Sequence, residues 1–205
     1  MTRIISILIL AFSLLSCSKF EETERFLELN NKFDQGDYEF VDIEGERFVK
    51  QYPKSAEGWS LLGWANIKTD DIERAEQCFN RALKIDPTLD NAHVGLGATF
   101  RYRGDRLKAR EHYAKAIAIL PSNAEAYASL LVIELMDKNY SEAVRLGEKA
   151  WQLRKDSAII AANLSVAYHF VEQYEKRDEM HQHAVRLGYL QGDKLKAIYR
   201  GELVL

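Results

Sequence analysis

Three prolines divide the chain at a regular interval. They are the only prolines among its 205 residues, and Pro53, Pro87 and Pro121 lie 34 residues apart. Each ends a stretch with helical character, "RFVKQYP", "RALKIDP" and "KAIAILP". Proline disfavours helical geometry at the residue before it, so each one marks the end of a helix. The spacing predicts a helical repeat of 34 residues, in which neighbouring repeats stack to bury their apolar faces.

The residues between the prolines follow the same interval. The frame gives five units without gaps: 22–55, 56–89, 90–123, 124–157 and 158–191. In the second unit, repeat positions 4, 7, 8, 20, 24, 27 and 32 are Trp59, Leu62, Gly63, Ala75, Phe79, Ala82 and Pro87. This pattern resembles the tetratricopeptide repeat. The resemblance implies an all-α fold, a right-handed superhelical α-solenoid of about five helix-turn-helix units.

The other units keep this pattern to different degrees. The third matches almost as well, whereas the fourth has Leu131 and Gly147 where glycine and an aromatic residue are usual. The fifth has Arg177 and His181 in place of the usual alanine and aromatic residue. The first is recognised by Gly36-Asp37-Tyr38 and Pro53 in register. After the last unit, residues 192–205 carry Leu195, Ile198 and Tyr199 at helical spacing, which predicts a C-terminal capping helix.

The first residues differ from the repeats. Arg3 and Lys19 bracket an uncharged, mostly apolar stretch of 15 residues, which is shorter than the ~20 needed to span a bilayer. A positive start, an apolar core and a small residue predict a secretory signal peptide over residues 1–16. The sequence "LLSC" resembles the bacterial lipoprotein lipobox, which implies lipid attachment to Cys17 and a tether over residues 17–21. The alternatives are a cleaved signal followed by an incidental cysteine, or an uncleaved anchor.

Charge and composition limit the classes of partner. The net charge is −3, which argues against a nucleic-acid binder or a general binder of anionic membranes. We therefore expect contact with the membrane only through the N-terminal lipid. In lipoproteins of this kind, an aspartate directly after the lipidated cysteine resembles a signal for retention in the inner membrane. This chain has Ser18 at that position. The resemblance thus implies the bacterial outer membrane, facing the periplasm, with the cell surface as an alternative.

The resemblance also indicates where a partner would bind. In tetratricopeptide repeats the first helix of each unit lines a concave groove, mainly through positions 2, 5, 9, 12 and 13. Many of these positions are apolar here, which favours an amphipathic or apolar protein segment as the partner. The alternative is that the C-terminal helix or a tighter superhelix covers this surface. The candidate groove residues are Trp64, Ile67, Lys68, Asn91, Val94, Arg101, Tyr102, Glu125, Val132, Leu135, Met136, Val166 and Phe170.

Catalysis finds little support in the sequence. Glu179, His181 and His183 fall at the spacing of a helix face and lack the further ligands of a metal site. Cys78 lies in a second helix with no histidine indicated nearby, so we expect a small core residue. We expect no enzyme activity, no catalytic residue, no metal and no cofactor. The predicted function is a non-catalytic adaptor, for example in the assembly of an outer-membrane complex such as a pilus secretin or in recruiting cell-wall enzymes. The alternative is a self-associating structural lipoprotein that forms an oligomeric spacer.

Overall fold

A computed structural model describes residues 19–203, and these residues form helices joined by short turns, with no strand in that range. The predicted signal peptide and lipid attachment at Cys17 lie outside the described residues. The first helix, α1, covers residues 19–34. The others are α2 (Tyr38–Gln51), α3 (Ala56–Lys68), α4 (Ile72–Ile85), α5 (Asp90–Tyr102), α6 (Arg106–Ile119), α7 (Ala124–Met136), α8 (Tyr140–Leu153), α9 (Ala158–Phe170), α10 (Tyr174–Arg186) and α11 (Gly192–Tyr199).

Two helices fall within each window of 34 residues, so the predicted all-α solenoid class is confirmed. Local sequence sets the helix ends. The residues just before two of the prolines, Asp86 and Leu120, are C-caps with extended backbone. At the turns, the Asp105 carboxylate accepts a hydrogen bond of 3.1 Å from the backbone N–H of Lys108, as an N-cap residue should. Asp37 makes no such bond.

Helix pairs pack closely where a glycine faces an aromatic ring. A Cβ built on Gly63 would lie 2.8 Å from the Phe79 ring, and one on Gly97 would lie 2.5 Å from the Tyr113 ring. Real Cβ atoms do not approach a ring this closely, so the two helices can pack in this way only because glycine has no side chain. These pairs are repeat positions 8 and 24 of the second and third units, which explains why the sequence pattern places glycine and an aromatic residue there.

The chain forms two compact units, one ending at Gly95 and one beginning at Leu96. In the first, a core cluster gathers Phe48, Leu62 and Cys78 from α2, α3 and α4. In the second, the largest cluster runs from α7 to α11 and includes Leu131 and Val166.

The C-terminal capping helix predicted from the sequence is confirmed as α11. Leu195 and Ile198 are buried in the core cluster of the second compact unit. The hydroxyls of Tyr199 and Ser165 are 2.6 Å apart and share a hydrogen bond between α11 and α9. Apolar burial and one polar contact therefore both hold α11 against α9.

Candidate partner-binding surface

In the first compact unit, Trp64 is half-buried and held in one orientation. Its indole Nε1 donates a hydrogen bond of 2.8 Å to Asn91 Oδ1, which joins α3 to α5. Its ring meets Phe79 edge-on, with 5.5 Å between the ring centroids. The exposed Lys68 ammonium lies 5.8 Å from the centre of the Tyr38 ring, within the range of a cation–π attraction. Trp64, Asn91 and Lys68 therefore reach the surface from fixed positions.

Two other predicted groove residues of this unit are buried. Ile67 is 8% exposed and Val94 is 2% exposed. Side chains buried to this degree belong to the core and cannot contact a partner in this conformation. In this compact unit the apolar part of the predicted groove is therefore smaller than the sequence indicated.

The second compact unit presents large side chains at one repeat position. Tyr102, Met136 and Phe170 are the last residues of α5, α7 and α9, and we call them the apolar row. Tyr102 is 55% exposed and Met136 is 45% exposed, while Phe170 is half-buried. The Phe170 ring stacks on Tyr140 with 4.4 Å between centroids and 10° between planes. The Arg101 guanidinium lies 5.0 Å from the centre of the Tyr102 ring.

The remaining aliphatic groove residues of this unit are partly or wholly covered. Leu135 is 4% exposed and Val166 is 2% exposed, and both belong to the cluster that includes Leu195 and Ile198 of α11. Val132 is half-buried. Of the two interpretations of this surface, the structure favours the one in which the C-terminal helix covers the part of the groove on α9.

Glu125 is exposed but already has a partner. Its carboxylate forms an ion pair of 2.6 Å with Arg154, which follows α8. An exposed pair of this kind contributes only about 0–1 kcal/mol, so a competing charge on a partner could displace it.

Comparison with known proteins identifies the repeat. Two sequence models of the tetratricopeptide repeat family match the chain, one over residues 56–89 and the other over residues 94–158. The chain contains tetratricopeptide repeats. The matches cover the second predicted unit, nearly all of the third, and the fourth.

Known proteins with this architecture resemble the chain at low identity. Peroxisome biogenesis protein 5 of Arabidopsis thaliana is 27% identical over 132 residues, which is 64% of this chain and 18% of that protein. The solved structure of Pseudomonas aeruginosa pilF matches with a TM-score of 0.72 at 13% identity, over 89% of this chain and 90% of the other. YrrB, described as a TPR protein with an unusual peptide-binding site, matches with a TM-score of 0.58 at 17% identity, over 87% and 91%.

These similarities cover only part of each curated relative. The chain spans about a fifth of the length of the curated relatives it matches, so the relation concerns the repeats. The solved structures show the shared fold. The family matches support a general protein-binding role for these repeats.

A shallow cavity lies beside the apolar row in the tetratricopeptide repeats of the second compact unit. Its volume is ≈ 530 Å³, and it is bounded by the turn from α7 to α8 and the end of α9. Stacked Tyr140 and Phe170 form part of its wall. The cavity is lined by Glu134, Lys138, Asn139, Tyr140, Ser141, Glu142, Phe170 and Val171.

A charged network fixes one side of this cavity. Glu134, which is 7% exposed, accepts hydrogen bonds from Arg110 Nε at 2.9 Å and from Asn139 Nδ2 at 2.8 Å. Arg110 also pairs with Asp137 at 2.8 Å, as does Arg106. Because each charge has a partner, the network positions α6 against α7.

The residues weighed as catalytic or metal-binding have structural contacts. Across residues 19–203, no group of three or more His, Cys, Asp and Glu side chains is placed to hold a metal ion. His183 lies 3.9 Å from Glu179 and packs near Trp151, whereas His181 packs against Tyr199. Burial raises the pKa of the Cys78 thiol to about 12, which keeps it in the unreactive thiol form.

Sequence reasoning missed an aromatic cluster that holds α11. The rings of His169 and His181 lie 5.1 Å and 5.8 Å from the Tyr199 ring, and the Arg177 guanidinium lies 5.1 Å from the same ring. Burial lowers the pKa of both histidines. In the sequence, the signal was the pair of departures from the repeat pattern, Arg177 and His181, since both lie near the Tyr199 ring.

Proposed function

We propose that the chain is a non-catalytic adaptor of a bacterial envelope, which binds an apolar segment of a partner protein along the apolar row of Tyr102, Met136 and Phe170. The observation that carries this proposal is the recurrence of a large, accessible side chain at the last residue of three successive first helices. Exposed apolar side chains that recur on one side of a repeat protein are typical of a protein-interaction surface.

The row also sets the spacing expected in the partner. Helices in contact, such as α7 and α9, lie about 8–10 Å apart, and Met136 and Phe170 occupy equivalent ends of these two helices. Residues seven apart on an α-helix are separated by about 10 Å. A helical partner segment should therefore carry apolar side chains at every seventh residue.

The test is capture of the partner after cross-linking in the native cells. We expect Tyr102→Glu with Met136→Glu to remove at least nine tenths of the partner recovered by the wild type. Both side chains are about half exposed, so the thermal unfolding midpoint should change little. Leu107→Glu is a matched control, because Leu107 is 79% exposed on α6 in the same compact unit but lies outside the row.

Two outcomes would overturn the adaptor proposal. Equal recovery of the partner by the wild type and the doubly charged variant would exclude the apolar row as its binding surface. Recovery of only cross-linked copies of the chain, with a dimer or larger species by light scattering at micromolar concentration, would favour the oligomeric spacer instead.

The envelope location rests on the resemblance of "LLSC" to a lipobox. Along the described part of the chain, no helix combines the length and apolar content needed to cross a bilayer. In this proposal the lipid attaches the protein, and two or more acyl chains on Cys17 would hold it firmly. We expect Cys17→Ser to abolish labelling by a palmitate analogue and to move the protein out of the membrane fraction. Unchanged labelling would refute lipid attachment at Cys17, and the adaptor proposal would still stand.

A further inference from the structure

The turn between α10 and α11 exposes an apolar patch. Leu190 is 98% exposed, Val185 is 51% exposed and Leu187 is 39% exposed, all within six residues of sequence. Single exposed leucines are common on protein surfaces, but three neighbouring apolar side chains at one corner form a patch. We call residues 185–190 the leucine corner. None of its exposed side chains belongs to the apolar row.

The backbone holds the leucine corner rigidly. After α10 the N–H of Gly188 donates to Val185 O at 3.0 Å and the N–H of Tyr189 donates to Ala184 O at 2.9 Å, the paired bonds of a Schellman motif. Gly188 has φ +88°, the left-handed geometry that this motif requires. Tyr189 packs inward against the core cluster. Leu190 is therefore held outward between two anchored segments.

The side chains around the leucine corner are mainly basic. Between residues 185 and 196 the charged side chains are Arg186, Lys194 and Lys196 against Asp193, which lies 3.6 Å from the Lys196 ammonium. Arg200, further along the chain, is paired with Glu202. This region is positive although the whole chain has a net charge of −3. A cavity of ≈ 390 Å³ at its edge is lined by His181, Gln182, Val185, Arg186 and Lys196.

We propose that the leucine corner docks on an anionic lipid surface, with Leu187 and Leu190 at the level of the headgroups and Arg186, Lys194 and Lys196 against lipid phosphates. Apolar side chains ringed by basic ones are what a protein needs to lie on such a surface. A second copy of the chain fits less well, because a two-fold contact through this corner would bring its basic residues together. The contact is separate from the lipid predicted at Cys17 and would give the protein a second point of membrane attachment.

The experiment reads the environment of residue 190 itself. The full chain with Cys17→Ser and Leu190→Cys is labelled at position 190 with an environment-sensitive nitrobenzoxadiazole dye. Cys78 stays unlabelled in the native protein because it is buried and its thiol pKa is raised to about 12. The labelled protein is mixed with phosphatidylcholine vesicles, with or without phosphatidylglycerol. Ile43→Cys provides the matched control, because Ile43 is 57% exposed on α2 between Asp42 and Glu44.

We expect a blue shift of the dye at position 190 with the anionic vesicles only, and no shift at position 43. Each Lys or Arg near an anionic surface strengthens binding about fivefold. Arg186→Gln with Lys194→Gln should therefore weaken the response about 30-fold in lipid concentration. Raising the salt concentration should weaken it as well.

Three results would overturn the proposal. An absence of blue shift with anionic vesicles would exclude the contact. Equal shifts at positions 190 and 43 would show that the rest of the chain, and not this corner, meets the membrane. A shift that appears without vesicles and grows with protein concentration would assign the corner to self-association.

Discussion

Gly97→Ala should destabilise the protein, although alanine favours helices. A Cβ on Gly97 would lie 2.5, 2.7 and 2.8 Å from three carbons of the Tyr113 ring. Carbon atoms pack best at about 3.5–4.0 Å, so the ring or the helix must shift by about 1 Å. Tyr113 is fully buried, and a rigid ring has nowhere to move.

The expected magnitude follows from two opposing terms. Overpacking a filled core costs about 1–3 kcal/mol. Replacing glycine by alanine within a helix stabilises the folded state by about 1 kcal/mol. Because three ring atoms would be too close, we expect a net loss of about 1–2 kcal/mol in the free energy of unfolding, measured by urea denaturation followed by circular dichroism.

A matched substitution isolates the role of the ring. Gly45 is also a buried helical glycine, but a Cβ there would lie 3.2 Å from Leu62 Cδ1, the end of a flexible side chain. Gly45→Ala should therefore be neutral or stabilising by up to about 1 kcal/mol. In a Tyr113→Leu background, Gly97→Ala should lose most of its cost, giving a coupling energy of about 1–3 kcal/mol. An equal cost of Gly97→Ala with and without the ring would refute this reasoning.

Two further predictions concern buried groups. Burial and nearby positive charge lower the pKa values of His169 and His181, so packing against Tyr199 favours their neutral forms. Their contribution to stability is complete above the ordinary value of about 6.5 and is lost as the pH falls through the lowered values. The protection factors of the α11 amides, corrected for the intrinsic exchange rate at each pH, should therefore fall between pH 7 and pH 5. His169→Gln with His181→Gln should reduce this pH dependence, and an undiminished dependence would assign it to other groups. In the Cys17→Ser variant, Cys78 should react with a thiol reagent at pH 8 only after denaturant is added, because its side chain is buried. Rapid reaction in the native protein would contradict this burial.

The sequence predicts the fold well because the constraint is local and repeated. Pro87 and Pro121 end helices through their effect on the residue directly before them, which does not depend on distant parts of the chain. The pattern of small and large residues recurs at the same interval. The candidate surface was harder to predict because exposure depends on neighbours far along the chain. Val132 and Val166 occupy the same repeat position, yet one is half-buried and the other is 2% exposed. Val166 shares a core cluster with Leu195 and Ile198 of α11, and repeat position alone does not specify such neighbours.

The fourth repeat shows a second way in which position alone misleads. Its Leu131 and Gly147 look like two defects, but they place the large residue on the first helix and the small one on the second, the reverse of Gly97 and Tyr113. A Cβ on Gly147 would lie 3.2 Å from Leu131 Cδ2 and 2.8 Å from Leu164 Cδ1, so leucine side chains already fill this space. The packed volume is kept while the residue types are exchanged, which cores tolerate well. Restoring the usual glycine with Leu131→Gly should therefore leave a cavity and cost at least the about 2–5 kcal/mol of a buried Leu→Ala change. A cost below about 1 kcal/mol in urea denaturation would mean that the two residues do not compensate each other.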